Sequence, residues 1–221
     1  FIERCAPGTG NEMLIASTTG MSASNRIDAM AKNAVLGIST AKALGIPKPT
    51  VGILNVDGAK AAERALLALQ TSGYEIHWAE STREGGGLIM RGNDVLGGAC
   101  QVLVTDSLTG NILVKMLSSL TTGGNYETLG YGYGPGVGED YDNIVCIVSR
   151  ASGAPVIANA IQYAASMAKA QLPAIVQSEL SAAGKSGLVL SSAQAEDVIP
   201  PAKPVDEEIA GIDVLEIEEA A

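Results

Sequence analysis

Short apolar runs alternate with stretches of helical spacing along the first 190 residues of the chain. Runs rich in β-branched residues predict strands, and apolar residues that recur every three or four positions predict helices. Strands are predicted at residues 13–16, 50–56, 74–78, 101–105 and 143–148. Helices are predicted at residues 25–44, 59–71, 111–120 and 156–170, and residues 172–190 predict a further helix with a short strand. This alternation indicates an α/β fold with a mostly parallel sheet and helices on both faces.

Two intervening segments lack such a pattern. Residues 80–92 are polar and rich in glycine, so we predict a loop there rather than a core element. Residues 121–138 are irregular and combine glycine with tyrosines such as Tyr126, Tyr131 and Tyr133. A flexible loop of this kind beside a site can act as a lid or a docking surface, and it can equally be an ordinary long connection.

The composition fits an α/β core, since 47% of the 221 residues are hydrophobic and only 4% are aromatic. The net charge of −10 is concentrated at one end, because residues 193–221 hold nine acidic residues and one lysine (−8) and residues 1–192 therefore carry −2. We divide the chain into a body, residues 1–190, and an acidic, proline-punctuated tail, residues 191–221. The body has no basic stripe, so no nucleic-acid partner is expected.

The three cysteines, Cys5, Cys100 and Cys146, have no metal-ligand spacing, and their odd number argues against a disulfide framework. We recognise no secretory signal segment and no apolar run long enough to span a bilayer, so we expect a cytoplasmic protein with no metal and no membrane partner. Cys100 and Cys146 are predicted to be small core residues. Cys5 follows Arg4, and a nearby guanidinium can lower the pKa of a thiol, so Cys5 is a candidate for carrying an acyl group.

A first polar segment follows the predicted strand at residues 101–105 and has the form D-x-x-x-G-N-x-x-x-K, from Asp106 to Lys115. Gly110 would let the backbone approach a ligand closely, and the Asn111 amide could orient an oxygen. Lys115 lies one helical turn after Asn111, so it would add a positive charge on the same face. The alternative is an Asx-type helix start with an exposed lysine.

A second polar segment, Ser149-Arg150-Ala151-Ser152, follows the predicted strand at residues 143–148. A guanidinium fork binds phosphate or carboxylate in a bidentate manner, and two hydroxyls would flank it at a helix start. The alternative is an N-cap serine with a surface arginine. Because both segments join a strand to a helix, we expect both at the carboxyl edge of the parallel sheet, where helix N-termini favour a small anion such as phosphate.

Other catalytic classes receive little support. His77, the single histidine, lies in an apolar strand beside Trp78 and is predicted to be a packed or interface residue rather than a general base. The sequence has no Gly-x-Ser-x-Gly elbow, no Walker loop and no His/Cys metal set. Serine hydrolase, P-loop NTPase and zinc enzyme are therefore poorly supported.

The motifs of these segments resemble those of the phosphate acyltransferase superfamily. The resemblance rests on residues 92–98 (GNDVLGG), on residues 102–106 followed by Thr109, Gly110, Asn111 and Lys115, on residues 41–55 (AKALGIPKPTVGILN), and on Ser149 and Arg150 with a serine downstream. The superfamily has two branches, the phosphate:acyl-carrier-protein acyltransferases and the phosphate acetyltransferases. Residues 92–98, and residues 102–106 with the four residues after them, resemble the first branch. Residues 41–55 resemble both branches, and the segment at Ser149 and Arg150 resembles the second. The similarity covers residues 25–169.

This resemblance implies a three-layer fold like that of the isocitrate and isopropylmalate dehydrogenases, incomplete at its N-terminus, so we expect the carboxy-terminal part of a longer chain. It implies transfer of an acyl group from a thioester to phosphate, without a cofactor. The implied catalytic residues are Asn111, Lys115, Ser149 and Arg150. The implied phosphate and substrate contacts are Asp106, Thr109, Gly110, Ser152 and Asn55.

Within the superfamily, the Gly/Tyr-rich loop and the acidic tail favour a subunit of a multi-component reductase complex. Such a subunit releases an acetyl group from a thioester on a partner subunit to inorganic phosphate, giving acetyl phosphate, and we expect a homo- or hetero-oligomer. Two alternatives stay open: an enzyme that uses acetyl-coenzyme A or acyl carrier protein, and a non-catalytic scaffold. Val156 stands where the acetyltransferase branch has an aspartate proposed as a base, which speaks against base-assisted attack by a coenzyme A thiol.

Overall fold

The computed structural model describes residues 2–5, 10–16, 23, 25–122, 130–149 and 152–188. The strands are β1 Ile2–Cys5, β2 Met13–Ala16, β3 Thr50–Leu54, β4 His77–Trp78, β5 Ile89–Met90, β6 Val102–Val104, β7 Tyr133–Gly136 and β8 Val145–Ile147. The helices are α1 Arg26–Ala43, α2 Ala59–Thr71, α3 Gly92–Gly97, α4 Ser107–Thr122, α5 Ala154–Lys169 and α6 Leu172–Lys185. Within the described part of the chain, no helix is long and apolar enough to cross a membrane. Arg150, Tyr126 and the tail lie outside the described residues.

The main sheet has the strand order β1-β2-β6-β3-β4, with β5 also paired to β3. β2, β6 and β3 run parallel, and β1 is antiparallel to β2. β4 pairs with the start of β3 and β5 with its end. The predicted fold class, α/β with a mostly parallel sheet, is confirmed.

Side chains along the strands alternate between two apolar cores, as the period of two in a strand requires. Val102 and Val104 of β6 pack in one core with helices α1, α2, α5 and α6. Leu103, between them, packs in the other core with α3 and α4. The sheet is therefore covered by helices on both faces, which gives three layers.

Helix α1 is the most enclosed helix of the described structure. The Asn25 side chain begins it by accepting a hydrogen bond from the Asp28 N–H at 2.9 Å. Every residue from position 30 to position 41 is buried, so the helix is covered on all sides. Gly37 lies where α1 meets the sheet, and its lack of a side chain permits the close approach.

Gly37→Ala is expected to lower the free energy of unfolding by about 1–3 kcal/mol, although alanine favours helices over glycine by about 1 kcal/mol. A Cβ at this position would lie 2.5 Å from Val102 Cγ1 and 3.2 Å from Ala16 Cβ, so the sheet would have to shift. Urea unfolding measures the change. Gly97→Ala is the control, because a Cβ there meets nothing within 4 Å. Equal stability of Gly37→Ala and the wild type would contradict the close packing.

Three parts of the predicted element pattern are wrong. The segment predicted as a loop at residues 80–92 contains β5, whose two residues are too few to show any period. The irregular stretch at residues 121–138 contains β7. The strand predicted at residues 143–148 exists as β8, but it pairs antiparallel with β7 in a separate two-stranded sheet. Its pairing partner lies in a glycine-rich segment that carries no strand pattern.

Candidate active site

A cleft of about 470 Å³ lies at the carboxyl ends of β6 and β3. It is lined by Ala23, Asn25, Arg26, Ala29, Met30, Asn33, Val56, Asp57, Thr105, Asp106, Ser107, Leu108 and Thr109. The segments before α1 and α2 lead to one face of the sheet, whereas the segment after β6 leads to α4 on the other face. Such a divergence opens a crevice at the sheet edge, which is where open α/β folds bind ligands.

Asp106 forms the start of α4 at one wall of the cleft. Its Oδ1 accepts a hydrogen bond from the Thr109 N–H at 3.0 Å, and its Oδ2 accepts one from the Thr109 hydroxyl at 2.6 Å. Burial alone would raise the pKa of Asp106, but the hydrogen bonds from Thr109 more than offset it and lower the pKa below its ordinary value. Asp106 is therefore a helix cap that stays ionised.

The start of α1 forms the opposite wall. Arg26 Nη1 lies 2.6 Å from Asp57 Oδ2, with the two side chains 54% and 94% exposed, so this ion pair contributes little stability. Among the described residues, the charged side chains that line the cleft are thus one arginine and two carboxylates, Asp57 and Asp106. Because their sum is negative, the cleft by itself favours a neutral ligand group over an anion.

Thr105 lies at the floor of the cleft, directly after β6. Its N–H donates a hydrogen bond to the Ala16 carbonyl at 3.2 Å, which continues the ladder between β6 and β2. The residue is 0% exposed, and its hydroxyl has no hydrogen-bond partner in the described structure. Buried polar side chains almost always have a partner, so this hydroxyl requires an explanation.

The structure brings together only part of the predicted site. Asp106 and Thr109 line the cleft as expected. Asn55 is exposed at the end of β3, where its N–H donates to the Met90 carbonyl at 2.9 Å, and it is not among the lining residues. The cleft residues that sequence reasoning missed are Asn25, Arg26, Asn33, Asp57, Thr105 and Ser107.

Gly110, Asn111 and Lys115 lie inside α4, which begins at Ser107 rather than at the predicted residue 111. The Gly110 N–H donates to the Asp106 carbonyl at 2.9 Å, so it is engaged within the helix, and the close approach of a ligand to Gly110 stays a prediction. Asn111 and Lys115 do not line the cleft. Lys115 Nζ contacts the Tyr133 hydroxyl and lies 4.1 Å from the centre of the tyrosine ring.

Ser149 and Ser152, the described residues of the second polar segment, do not occupy the predicted place. Since β8 belongs to the two-stranded sheet, Ser149 and Ser152 do not follow a strand of the parallel sheet, and neither lines the cleft. The Ser152 N–H donates to the Ser149 carbonyl at 3.0 Å. The N-cap of α5 is Gly153, so the alternative interpretation, an N-cap serine, is wrong.

Cys5 has a core setting instead of the polar one that its neighbours suggest. It is 1% exposed, and its thiol donates to the Met13 carbonyl at 3.3 Å. Consecutive strand residues face opposite sides, so the Arg4 guanidinium packs away from the thiol, against the rings of Tyr131 and Tyr163. This arrangement removes the physical basis for an acyl group on Cys5.

The remaining candidates are structural. Cys100 is buried, as predicted, and burial raises the pKa of its thiol to about 12. His77 Nε2 lies 3.0 Å from Glu75 Oε1 on a half-buried strand. Among the described residues, no group of three or more His, Cys, Asp or Glu side chains is placed to hold a metal ion.

The fold and the cleft define an α/β protein with a candidate ligand site at the carboxyl edge of its sheet. The chain belongs to the family described as "Fatty acid synthesis protein", whose model matches residues 3–213. The predicted resemblance to the phosphate acyltransferases is thereby confirmed.

Three relatives refine this placement. The chain is 54% identical over 225 residues to the glycine/sarcosine/betaine reductase complex component C subunit alpha of Peptoclostridium acidaminophilum, covering 97% of this chain and 58% of that protein. It is 39% identical over 88 residues to a phosphate acyltransferase of Paramagnetospirillum magneticum, covering 37% of this chain and 23% of the relative. It is 34% identical over 110 residues to a phosphate acyltransferase of Cereibacter sphaeroides, covering 49% and 29%. The chain thus spans 58% of the length of the first of these relatives and less of the others.

Proposed function

We propose that the chain is an acyltransferase subunit of a glycine/sarcosine/betaine reductase complex. It releases an acetyl group from a thioester on a partner subunit to inorganic phosphate, and the product is acetyl phosphate. The observation that carries this proposal is the 54% identity over 97% of the chain to a component C subunit alpha. The likeness to phosphate acyltransferases supports phosphate as the acceptor.

In this reaction a phosphate oxygen attacks the thioester carbonyl and a thiolate leaves. Phosphate is already an anion near neutral pH, so the reaction does not require a base at Val156. The protein must hold an anionic nucleophile against the carbonyl and stabilise the oxyanion that forms. We assign the phosphate to Arg150, assisted by the hydroxyls of Ser149 and Ser152.

The thioester side of the site is assigned to the cleft and to α4. Asp106 and Thr109 shape the cleft wall. Asn111 follows Thr109 by two positions, which places it about 200° around the helix, and Lys115 shares its face. We therefore assign Asn111 and Lys115 to contacts with the protein that carries the thioester rather than with the reacting carbonyl.

The outer surface of α4 supports the proposal of an assembled state. Four large apolar side chains recur there at intervals of four residues and are exposed: Leu108, Ile112, Met116 and Leu120. A helix stripe of this kind is unusual on a protein that works alone, because exposed apolar surface is normally dispersed. We propose that this stripe is covered in the homo- or hetero-oligomer.

Acetyl phosphate formation by the full-length protein tests the proposed reaction. Phosphate would be supplied together with either an acetylated partner subunit or acetyl-coenzyme A. We expect product with the protein thioester alone. Product from acetyl-coenzyme A would favour a phosphate acetyltransferase, and absence of product with both donors would favour the scaffold alternative.

A further inference from the structure

The unpartnered hydroxyl of Thr105 carries an inference about the substrate. We propose that Thr105 Oγ donates a hydrogen bond to the carbonyl oxygen of the acyl thioester bound in the cleft. This inference rests on the proposed function for the identity of the ligand. The Thr105 hydroxyl, which could not be identified from the sequence, would then be a further substrate-binding group.

The position of Thr105 is fixed by the sheet. Its backbone pairs with Ala16, and β6 lies between β2 and β3, so the residue has little freedom to move. It lines the cleft, and its hydroxyl has no partner among the described residues. Because it is 0% exposed, a bound carbonyl oxygen reaches it only when the groups that cover it shift. A valine of the same shape would avoid the cost of a buried, unpaired hydroxyl, so the threonine lowers the stability of the unliganded fold.

The start of α4 supplies further donors beside this hydroxyl. The first N–H groups of a helix have no acceptor within the helix. The Asp106 carboxylate accepts a hydrogen bond from the Thr109 N–H. The N–H groups of Ser107 and Leu108, two residues that line the cleft, have no acceptor within the helix. An oxygen placed above Thr105 would therefore meet a hydroxyl and the positive end of a 16-residue helix.

The charge of the cleft favours a neutral carbonyl oxygen over a phosphate oxygen as the group bound beside Thr105. Arg26 is paired with Asp57, and Asp106 adds a second carboxylate, so the described lining offers a phosphate dianion no unpaired cation. A thioester carbonyl is neutral and accepts hydrogen bonds, which matches the free donors. The cleft therefore suits the acyl group, whereas the phosphate requires the arginine assigned above.

The same contact would strengthen during the reaction. A phosphate oxygen forms a bond to the carbonyl carbon, and the carbonyl oxygen becomes an oxyanion. The carbon–sulfur bond then breaks with its electron pair on sulfur, and the proton of hydrogen phosphate ends on the thiol. Thr105 keeps its own proton throughout and stabilises the oxyanion, which is how donors in preformed sites accelerate acyl transfer.

Thr105→Val in the full-length protein separates this role from a structural one. We expect the unfolding temperature without ligand to rise by about 2–4 °C, because an unpaired hydroxyl is removed. We expect kcat/KM for the acetylated partner subunit to fall about tenfold or more. Thr105→Ser restores the hydroxyl and should recover most of the activity. Loss of stability in Thr105→Val, or unchanged kcat/KM, would overturn the inference.

Thr40→Val is the matched control. Thr40 is equally buried, but its hydroxyl donates to the Leu36 carbonyl at 2.9 Å within α1. We expect this variant to gain no stability and to keep the wild-type kcat/KM. A gain of stability in Thr40→Val as large as that in Thr105→Val would remove the argument from the unpaired hydroxyl.

A binding measurement decides the inference even if the wild type forms no acetyl phosphate and the proposed function fails. The probe is S-acetyl-N-acetylcysteamine, a small neutral thioester, and the readout is its effect on the unfolding temperature. A stabilisation of the wild type that is lost in Thr105→Val and kept in Thr40→Val supports the contact. Equal responses of all three proteins, including no response, overturn it.

Discussion

Asp94→Asn is expected to lower the free energy of unfolding by about 3 kcal/mol, because it breaks a buried set of hydrogen bonds. The carboxylate is 3% exposed and accepts from the Ser81 hydroxyl, from the N–H and hydroxyl of Thr82, and from the Arg91 N–H, at 2.6–2.8 Å. An asparagine turns one acceptor oxygen into a donor, which would face two of these donors. Urea unfolding near neutral pH measures the loss.

The pH dependence provides a second test of Asp94. Burial alone would raise its pKa, but the hydrogen bonds from Thr82, Arg91 and Ser81 more than offset that effect and hold the pKa well below its usual range. A depressed pKa means that the unfolded chain binds the proton first. The stabilisation is therefore complete above the ordinary carboxyl pKa of about 3.9 and is lost as pH falls below it.

The difference in stability between the wild type and Asp94→Asn should accordingly shrink on acidification from about pH 7 to about pH 3. Asp57→Asn is the control, because Asp57 is almost fully exposed. That variant should show neither a large loss nor a comparable pH dependence. A constant difference for Asp94→Asn at all pH values would contradict the assigned hydrogen bonds.

Local periodicity explains why the central elements could be predicted. α1, α2, β2 and β6 are long or strongly apolar, so their patterns are decided by residues close in sequence. β8 also has the pattern of a strand, but nothing local distinguishes pairing with the parallel sheet from pairing with β7. The sheet to which a short strand belongs is a tertiary property.

The candidate site also combines residues that the sequence could predict with residues that only the tertiary structure brings together. Asp106 could be predicted because it closely follows a recognisable strand, and Thr109 because it belongs to the motif that carries the family resemblance. Arg26 and Asp57 are 31 positions apart and meet only because α1 begins, and β3 ends, at the same edge of the sheet. Thr105 is recognised as special only when its surroundings show that its hydroxyl lacks a partner.

Arg150→Ala is expected to lower kcat/KM for phosphate by about 100-fold, which corresponds to about 3 kcal/mol of transition-state binding. The physical reason is the loss of a bidentate, charge-assisted contact with the nucleophile. Arg150→Lys keeps the charge but not the planar fork, so it should recover only part of the activity. Arg64→Ala removes an exposed arginine from α2 and serves as the control.

The variants at Arg150 and Thr105 together decide whether two separate parts of the chain serve one reaction. If phosphate is held by Arg150 and the acyl carbonyl by Thr105, Arg150→Ala should raise KM for phosphate and leave KM for the thioester unchanged. Thr105→Val should raise KM for the thioester and lower kcat, and it should leave KM for phosphate unchanged. Because the two groups would meet in one transition state, the double variant should depart from additivity.

Unchanged turnover in Arg150→Ala would show that phosphate is bound elsewhere. Phosphate binding that this variant does not weaken, in a protein without turnover, would favour the scaffold.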